Sequence, residues 1–239
     1  MTIQEAHYHF KLYFDRLDTS AKPDYNAAEI DYFLNEAQLI WLNQRYSPRL
    51  NRLASGFEMT QKRTDELSTL VVKFPLQAAI TPTSLGNSTY EVNLSNLAYP
   101  YLHFIAGTAI VQGDSCKYHA TVRISSHDSL YEDLEDPFTS SIENGVLATF
   151  GKSSDQTSRS IFIYSTLPVL EVRIDYIKLP RRVSLGTYTY LDGIQYPPTT
   201  FEFPDATHQS IVDLACQIAS LSQENPNDVQ IKLAKLNIQ

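Results

Sequence analysis

Ser115 lies in a short stretch that partly matches the nucleophile motif of serine hydrolases. The run "GDSCK", Gly113 to Lys117, begins like Gly-x-Ser-x-Gly, in which small residues flank a serine on a strained strand-to-helix turn. Lys117 stands where the second glycine is needed, and the residues on both sides have a strand pattern. A β-turn is therefore the preferred interpretation. A hydrolase that uses Ser115 with His119 or His127 as its base is kept as an alternative.

Two other groups carry the donor atoms of metal ligands without the spacing. His7 and His9 lie about 200° apart on a helix, so their rings cannot bind one ion. The carboxylates between Asp128 and Asp136 lack the alternation and the central glycine of an EF-hand loop. The chain also has no Walker A, dinucleotide-binding or zinc-protease motif. We therefore predict no catalytic residue, no cofactor and no metal, and a protein that is not an enzyme.

The composition is typical of a folded protein and argues against several classes. Of 239 residues, 43% are apolar and 19% charged, which is far from the polar signature of disorder. A formal net charge of -8 argues against a basic nucleic-acid-binding surface, so we predict no sequence-specific nucleic-acid partner. The chain has no apolar run of membrane-spanning length and no signal-peptide pattern, so we expect no membrane partner. Two distant cysteines, Cys116 and Cys216, fit synthesis in a reducing cytoplasm.

The period of the apolar residues divides the chain into three parts. Residues 1–67 have helical patterns, with capping signals at Thr2 and Asn26 and a third helix expected from Ser47 to about residue 67. Residues 68–200 alternate apolar and polar positions between turn signals, as β-strands do. Residues 201–239 begin with a helix that Asp205 is expected to cap, followed by a short apolar tail.

The β-rich part contains several expected strands and one expected acidic helix or loop. The strands are expected in the runs "TLVVKFPLQAAI", "STYEVNL", "YLHFIAGTAIV", "KYHATVRIS", "SIFIYSTL" and "LEVRIDYIKL". In the last run, Leu170, Val172, Ile174 and Tyr176 share one face, which is typical of a half-buried antiparallel strand. The acidic segment is "HDSLYEDLEDP".

These parts predict an α+β fold. A lone amphipathic helix cannot bury its apolar stripe, so the helix after Asp205 is expected to pack on the N-terminal helices. The predicted architecture is a helical bundle built from both chain ends, with an inserted antiparallel β-rich domain. Its predicted parts are residues 1–67, 68–200 and 201–239.

The predicted helix over residues 26–46, "NAAEIDYFLNEAQLIWLNQRY", is apolar on two sides. One stripe is expected to face the core and contains Ile30, Phe33, Leu34, Ala37, Ile40 and Trp41. The second lies nearly opposite and contains Ala28, Tyr32, Leu39, Leu42 and Tyr46. Either this is a central helix covered within its own bundle, or part of the second stripe contacts another subunit. We favour the second interpretation and place Tyr32, Leu39, Leu42 and Tyr46 in a candidate interface.

Two further segments are candidates for contact with a partner. Arg181 and Arg182 form a small basic spot at a predicted strand end, where an exposed loop or an acidic partner would explain them. The tail, residues 226–239, is short and apolar, and Ile231, Leu233 and Leu236 are expected to dock on a neighbouring protein.

The two chain ends together resemble a family of viral proteins. The segments are "YHFKLYFDRLD" and "NAAEIDYFLNEAQLIWLNQRY" near the start, and "LEVRIDYIKLPRRVSL" and "FEFPDATHQSIVDLACQIA" near the end. They resemble head-to-tail connector proteins of short-tailed phages. The likeness is closer to the ring or neck proteins of crAss-like phages than to the podovirus adaptor called tail tubular protein A.

The resemblance implies a virion structural protein. Its expected form is a homo-oligomeric ring of about twelve copies, docked under the portal and linking capsid to tail. The portal protein and further ring or tail proteins are its implied partners, and genome DNA is expected to pass through the lumen. The implied location is the neck of the virion after synthesis in the bacterial cytoplasm. No catalytic residue is carried over from the resemblance.

An alternative from another class is a β-rich tail module that binds carbohydrate or the host surface. Its expected sign is a platform of exposed aromatic rings that stack on sugars. The candidate rings are Tyr131, Tyr188, Tyr190 and Tyr196.

Overall fold

The computed structural model describes residues 1–16, 25–46, 65–113, 116–136, 145–186, 188–189 and 193–221. It contains both helices and a large sheet, so the predicted α+β class is confirmed. The chain divides into two compact units. The helical unit comprises Met1–Leu70 and Pro180–Gln239, and the sheet unit comprises Val71–Leu179. The segment 180–200 thus lies with the helices, whereas the sequence pattern assigned it to the β-rich part.

The described helices and strands have the following bounds. The α-helices are α1 (Ile3–Arg16), α2 (Ala27–Tyr46), α3 (Leu130–Glu135) and α4 (Asp205–Leu221). Short 3-10 helices span Ser68–Leu70 and Leu94–Asn96. The strands are β1 (Val71–Val72), β2 (Thr83–Gly86), β3 (Thr89–Asn93), β4 (Tyr101–Gln112), β5 (Lys117–Ile124), β6 (Val146–Lys152), β7 (Arg159–Tyr164) and β8 (Val169–Lys178).

Both predicted capping signals are confirmed at the starts of α1 and α2. The Thr2 N–H donates to Glu5 Oε2 at 2.7 Å, and the Glu5 N–H donates to Thr2 Oγ1 at 3.2 Å. The same reciprocal pair joins Asn26 and Glu29, at 2.9 and 3.0 Å. Because each pair satisfies backbone donors that have no partner inside the helix, it fixes where the helix begins. The predicted third helix lies mostly outside the described residues.

The core of the helical unit forms where α4 packs on α1 and α2. Its largest buried side chains include Phe10, Ile30, Leu34, Leu42, Trp41 and Ile211. The Trp41 and Phe203 rings meet edge to face with centroids 5.2 Å apart. The Tyr25 hydroxyl donates to the carbonyl of Ala219 at 3.3 Å. These contacts bury the apolar stripe of α4, as its amphipathic pattern requires.

The sheet unit contains an eight-stranded sheet in the order β1-β8-β4-β5-β6-β7-β3-β2. Every neighbouring pair is antiparallel except β5 and β6, which run parallel from the Val122 and Val146 pair to the Ile124 and Ala148 pair. The sheet is therefore mixed, and the prediction of an antiparallel domain is wrong at this one pair. A parallel pair needs a long crossover, and here the connection contains α3.

Strand β6 is absent from the expected strands. Its first four residues are all buried, so the period-2 alternation that marks the other strands does not appear. Burial on both faces is typical of a strand in the interior of a sheet with a parallel neighbour. By contrast, the alternation predicted for β8 is confirmed, because Val172, Ile174 and Tyr176 are buried and lie on one face. Leu170 of the same series is only half-buried.

Side chains from both halves of the sheet meet in one core. Buried residues of β1, β4 and β8 pack in the same cluster as buried residues of β3, β6 and β7. The Phe104 ring of β4 meets the Phe150 ring of β6 edge to face at 6.0 Å between centroids. The hydroxyl of Tyr176, fully buried on β8, donates to the Tyr99 carbonyl at 3.1 Å. The sheet thus supplies the main hydrophobic core of this unit.

Glu91, a buried carboxylate on β3, holds the turn that connects β6 to β7. Its Oε1 accepts hydrogen bonds from the Ser160 hydroxyl at 2.7 Å and from the Ser154 N–H at 3.2 Å. Burial by itself would raise the pKa of Glu91. Hydrogen bonds from Ser153, Ser160 and Ser154 outweigh that effect, so the pKa lies below its ordinary value.

Replacing Glu91 with glutamine should lower stability most at neutral pH. A lowered folded-state pKa means that the carboxylate stabilises the fold above its unfolded pKa, and that this contribution is lost as pH falls through the folded pKa. At pH 7 we expect Glu91→Gln to cost about 1–2 kcal/mol of unfolding free energy, with the difference narrowing towards about pH 3. Urea unfolding at several pH values measures this difference in unfolding free energy. Hydrogen exchange of peptides from β3 and β7 shows where in the sheet unit the stability is lost.

Glu171→Gln is the matched control, because that side chain is 47% exposed and its carboxylate lies 3.9 Å from Arg173. It should change stability by less than about 0.5 kcal/mol at any pH. A Glu91→Gln difference that stays the same from neutral to acidic pH would show that the side chain acts through packing and not through its charge.

Candidate subunit interface

One side of α2 is exposed and partly apolar. Tyr32 is 42% exposed and Ile40 is 37% exposed, and the half-buried Leu39 lies beside them on the helix. We refer to Tyr32, Leu39 and Ile40 as the outer face of α2. Exposed large apolar side chains that gather on one helix face are typical of a contact surface. Ile40 was predicted in the core stripe, and this prediction is wrong because its side chain is exposed.

A buried polar cluster covers the neighbouring side of α2. Asp31 is 0% exposed, and its Oδ1 lies 2.6 Å from Nε2 of the buried His7 on α1. Its Oδ2 accepts the Leu185 N–H at 2.9 Å and the Tyr188 hydroxyl. In the tautomer with its hydrogen on Nε2, His7 donates to Asp31 Oδ1. One carboxylate thus links α1, α2 and the segment before α4.

Asn35, one turn after Asp31, binds the backbone of the same segment. Its Oδ1 accepts the Val183 N–H at 2.8 Å, and its Nδ2 donates to the Val183 carbonyl at 2.9 Å. The side-chain amide therefore pairs with Val183 as a strand neighbour would, and it satisfies both backbone groups of that residue. The segment around Val183 is fixed against α2 by polar contacts.

This arrangement explains why α2 is apolar on two sides. The helix buries a broad arc that contains Ile30, Leu34, Ala37, Trp41 and Leu42. Leu42, predicted for the interface, is 0% exposed and belongs to the core of its own unit. Tyr46, also predicted, is half-buried, and burial raises the pKa of its phenol. Of the predicted second stripe, Tyr32 and Leu39 are the residues that reach the outer face.

The two predicted basic residues are exposed but engaged within their own unit. The guanidinium Nε of Arg181 lies 3.2 Å from Glu202 Oε1. Arg182 lies over the Tyr196 ring, 5.6 Å from its centroid, and donates to the Tyr196 hydroxyl at 3.2 Å. Neither arginine therefore presents an unpaired charge to a partner. The predicted tail residues Ile231, Leu233 and Leu236 lie outside the described residues.

The other candidates from the sequence do not form a site within the part of the chain that the structure describes. Ser115 lies outside the described residues, and His119 and His127 are exposed. Among the described residues, no group of three or more His, Cys, Asp or Glu side chains could hold a metal ion. No described helix has the length and apolarity needed to span a membrane.

Of the rings proposed for a sugar platform, Tyr190 lies outside the described residues, while Tyr188 and Tyr196 bind Asp31 and Arg182.

Neither the role of Asp31 nor its contact with His7 was predicted from the sequence. A usable signal was present, because Asp31, Asn35 and Gln38 recur at intervals of four and three residues beside the core stripe of α2. Polar residues at such spacing form a line along one side of a helix. The partners of these polar side chains could not be predicted from the sequence, because Leu185 lies 154 residues from Asp31 along the chain.

Comparison with known proteins identifies the family. Residues 1–230 match the family described as phage tail ring protein 3/4, of the crAss-like phages. No curated protein matches the sequence. The match covers the sheet unit and all of the helical unit except its last nine residues, and it confirms the resemblance seen in the terminal helices. The chain belongs to the crAss-like phage tail ring protein 3/4 family and is a structural protein of the virion tail.

Proposed function

We propose that the chain is one subunit of a connector ring that docks under the portal and links the capsid to the tail. The observation that carries this proposal is the family match over residues 1–230. The chain acts through its surfaces and not as an enzyme. A ring of about twelve copies forms when one contact between two different faces of the subunit is repeated by rotation until it closes.

The helical unit, acting as a bundle made from both chain ends, supplies one of these faces. The outer face of α2 offers Tyr32, Leu39 and Ile40, and tyrosine and aliphatic side chains are common at the centres of subunit contacts. The capping pair at Asn26 and the polar contacts of Asp31 and Asn35 hold this helix in place before assembly. A pre-organised surface loses less conformational entropy when it binds.

Passage of DNA through the ring is part of the proposal. The formal net charge of -8 is consistent with a channel that repels phosphates, since clustered Lys and Arg would retain the genome. A lumen lined mainly by Lys and Arg in an assembled ring would contradict this part of the proposal.

Assembly is the direct test. The purified chain, alone and mixed with the portal protein of the same phage, is examined by native mass spectrometry and negative-stain electron microscopy. Closed rings, formed alone or on the portal, are the expected result. A chain that stays monomeric and ignores the portal at high concentration would refute the proposed function.

The outer face of α2 can be tested by adding charge. Tyr32→Asp together with Leu39→Asp should weaken ring assembly at least about 100-fold, because two unpaired carboxylates would be buried in the contact at a cost of about 3 kcal/mol. Sedimentation velocity measures assembly, and the emission of Trp41, the only tryptophan, reports folding of the helical unit.

Gln4→Asp with Ser210→Asp is the matched control. These residues are exposed on α1 and α4, and the pair adds the same two charges away from the outer face. The control should assemble normally. Tyr32→Asp alone separates assembly from folding, since Tyr32 is exposed at 42% of its surface and its replacement leaves the buried side of α2 unchanged. Normal rings from a folded Tyr32→Asp chain would remove the outer face of α2 from the interface.

A further inference from the structure

The sheet unit contains a groove lined by aromatic and apolar residues. It lies where the 3-10 helix Leu94–Asn96 leads into β4 and where β7 begins, and it has a volume of about 340 Å³. Tyr99, Tyr101, Leu97 and Arg159 line it. Its rim is held by Asn93, whose Oδ1 accepts from the Ser95 hydroxyl at 2.7 Å and from the Ser158 hydroxyl at 3.0 Å. We call this feature the Tyr99 groove.

Arg159, which lines the Tyr99 groove, and Lys152, its neighbour on β6, have no side-chain partner among the described residues. Arg159 pairs with Lys152 across β6 and β7, so two like charges stand directly opposite each other on neighbouring strands. Both side chains are exposed, and within the described part of the chain neither forms an ion pair, hydrogen bond or ring contact. Like charges in this position repel each other, and an anionic partner would relieve the repulsion. The groove is therefore suited to an aromatic or apolar side chain flanked by carboxylates.

Helix α3 of the same unit has the complementary chemistry. Tyr131 is 75% exposed. Glu135, one turn later, is its exposed neighbour on the helix face, and the exposed Glu132 is in turn three residues from Glu135. Within the described residues, none of these three side chains has a partner. The helix itself is anchored, because Leu130 is buried and Asp133 accepts the Ser125 hydroxyl at 2.6 Å. An anchored helix thus presents one large aromatic side chain and two carboxylates on one exposed arc, and within the described residues these carboxylates have no partner.

We propose that the Tyr99 groove binds helix α3 of a neighbouring copy, with Tyr131 in the groove and Glu132 and Glu135 facing Lys152 and Arg159. The inference rests on the proposed ring, because it names a contact between its subunits. A groove and a helix at different places on one unit make a contact between unlike faces, and such a contact joins copies head to tail. Each copy then satisfies the charges that it leaves unpaired when alone.

Paired charge reversals test this contact in the full-length chain. The groove reversal is Lys152→Glu with Arg159→Glu, and the helix reversal is Glu132→Lys with Glu135→Lys. Each should weaken association between copies at least about 10-fold by sedimentation velocity, alone or on the portal protein. The chain that carries all four substitutions should recover association to within about threefold of the unchanged chain, because opposite charges again face each other.

The matched control is Lys73→Glu with Lys117→Glu, which reverses two exposed lysines elsewhere in the sheet unit. It should leave association unchanged. A second measurement is zero-length carbodiimide cross-linking of a mixture of isotope-labelled and unlabelled chains. Amide links from Lys152 to Glu132 or Glu135 of a differently labelled chain are expected, and links from Lys117 to those residues are not.

The outcomes separate this contact from the ring itself. If the chain forms rings and neither reversal weakens them, or if the four substitutions together fail to restore association, the contact is refuted and the ring stands. If the groove reversal leaves copies associated but abolishes binding of another tail protein, the groove belongs to that protein and the proposal is wrong. If the unchanged chain does not associate at all, the proposed function fails first.

Discussion

Replacing Asp31 with alanine is expected to lower the unfolding free energy of the helical unit by about 3–5 kcal/mol, the cost of removing one partner from a buried charged cluster. The substitution leaves the Nε2–H of His7, the Leu185 N–H and the Tyr188 hydroxyl without their acceptor. Each buried donor without an acceptor costs about 1–3 kcal/mol. A loss of this size is a large fraction of the stability of a typical domain.

Urea unfolding followed by Trp41 emission measures this effect, because Trp41 is the only tryptophan and is buried in the helical unit. A loss of about 4 kcal/mol should move the midpoint about 2 M lower. Asp31→Asn should fall between the unchanged chain and Asp31→Ala, because an amide keeps one acceptor oxygen for the three donors.

Glu36→Gln is the matched control on the same helix. Glu36 is half-buried and, within the described residues, has no hydrogen-bond or ion-pair partner. It should move the midpoint by less than about 0.3 M. Equal effects of Asp31→Ala and Glu36→Gln would show that the Asp31 cluster does not hold the helical unit together.

Gly145→Ala should be the most damaging small substitution in the sheet unit, costing about 2–4 kcal/mol through backbone strain and overpacking. Gly145 immediately precedes β6 and has a φ of +125°, a conformation that side chains rarely allow. A Cβ added there would lie 2.4 Å from the Thr121 carbonyl oxygen of β5. Relieving that overlap must separate β5 from β6 at the parallel pair.

Urea unfolding measures the loss of stability. Hydrogen exchange locates it, and exchange should accelerate first in peptides from β5 and β6. Gly86→Ala is the matched control, since Gly86 also has a positive φ, of +87°, but open space around its Cβ position. It should cost about 1–2 kcal/mol from strain alone. If the two substitutions cost the same, close approach to Thr121 is not what requires glycine at position 145.

Local features of this protein were readable from the sequence. The capping pairs at Thr2 and Asn26 formed as predicted, because each joins residues three positions apart. The alternation in β8 was also readable, since it depends on neighbouring residues, whereas the acidic segment was expected as a helix or a loop and forms the helix α3. Membership of the tail ring family was visible in the terminal helices and was confirmed over residues 1–230.

The parts that sequence reasoning missed depend on distant partners. Strand β6 gives no alternation, because its surroundings on both faces come from other strands of the sheet. Asp31 looked like an ordinary polar residue, because its acceptor oxygens are filled by Leu185 and Tyr188, more than 150 residues away along the chain. Leu42 is buried and Ile40 is exposed, the reverse of the prediction. The reason is that the segment around Val183 covers one side of α2 and leaves the other side open.

The amino-acid sequence by itself determined where α1 and α2 begin, the family, and the apolar character of both sides of α2. Only the tertiary structure decided which of those sides is covered within the unit, and which side chains of α2 and α3 are left exposed. The physical reason is the separation along the chain of the residues that interact. Caps and periodicity follow from contacts between residues a few positions apart, whereas burial and hydrogen-bond partners follow from segments that meet only when the chain folds.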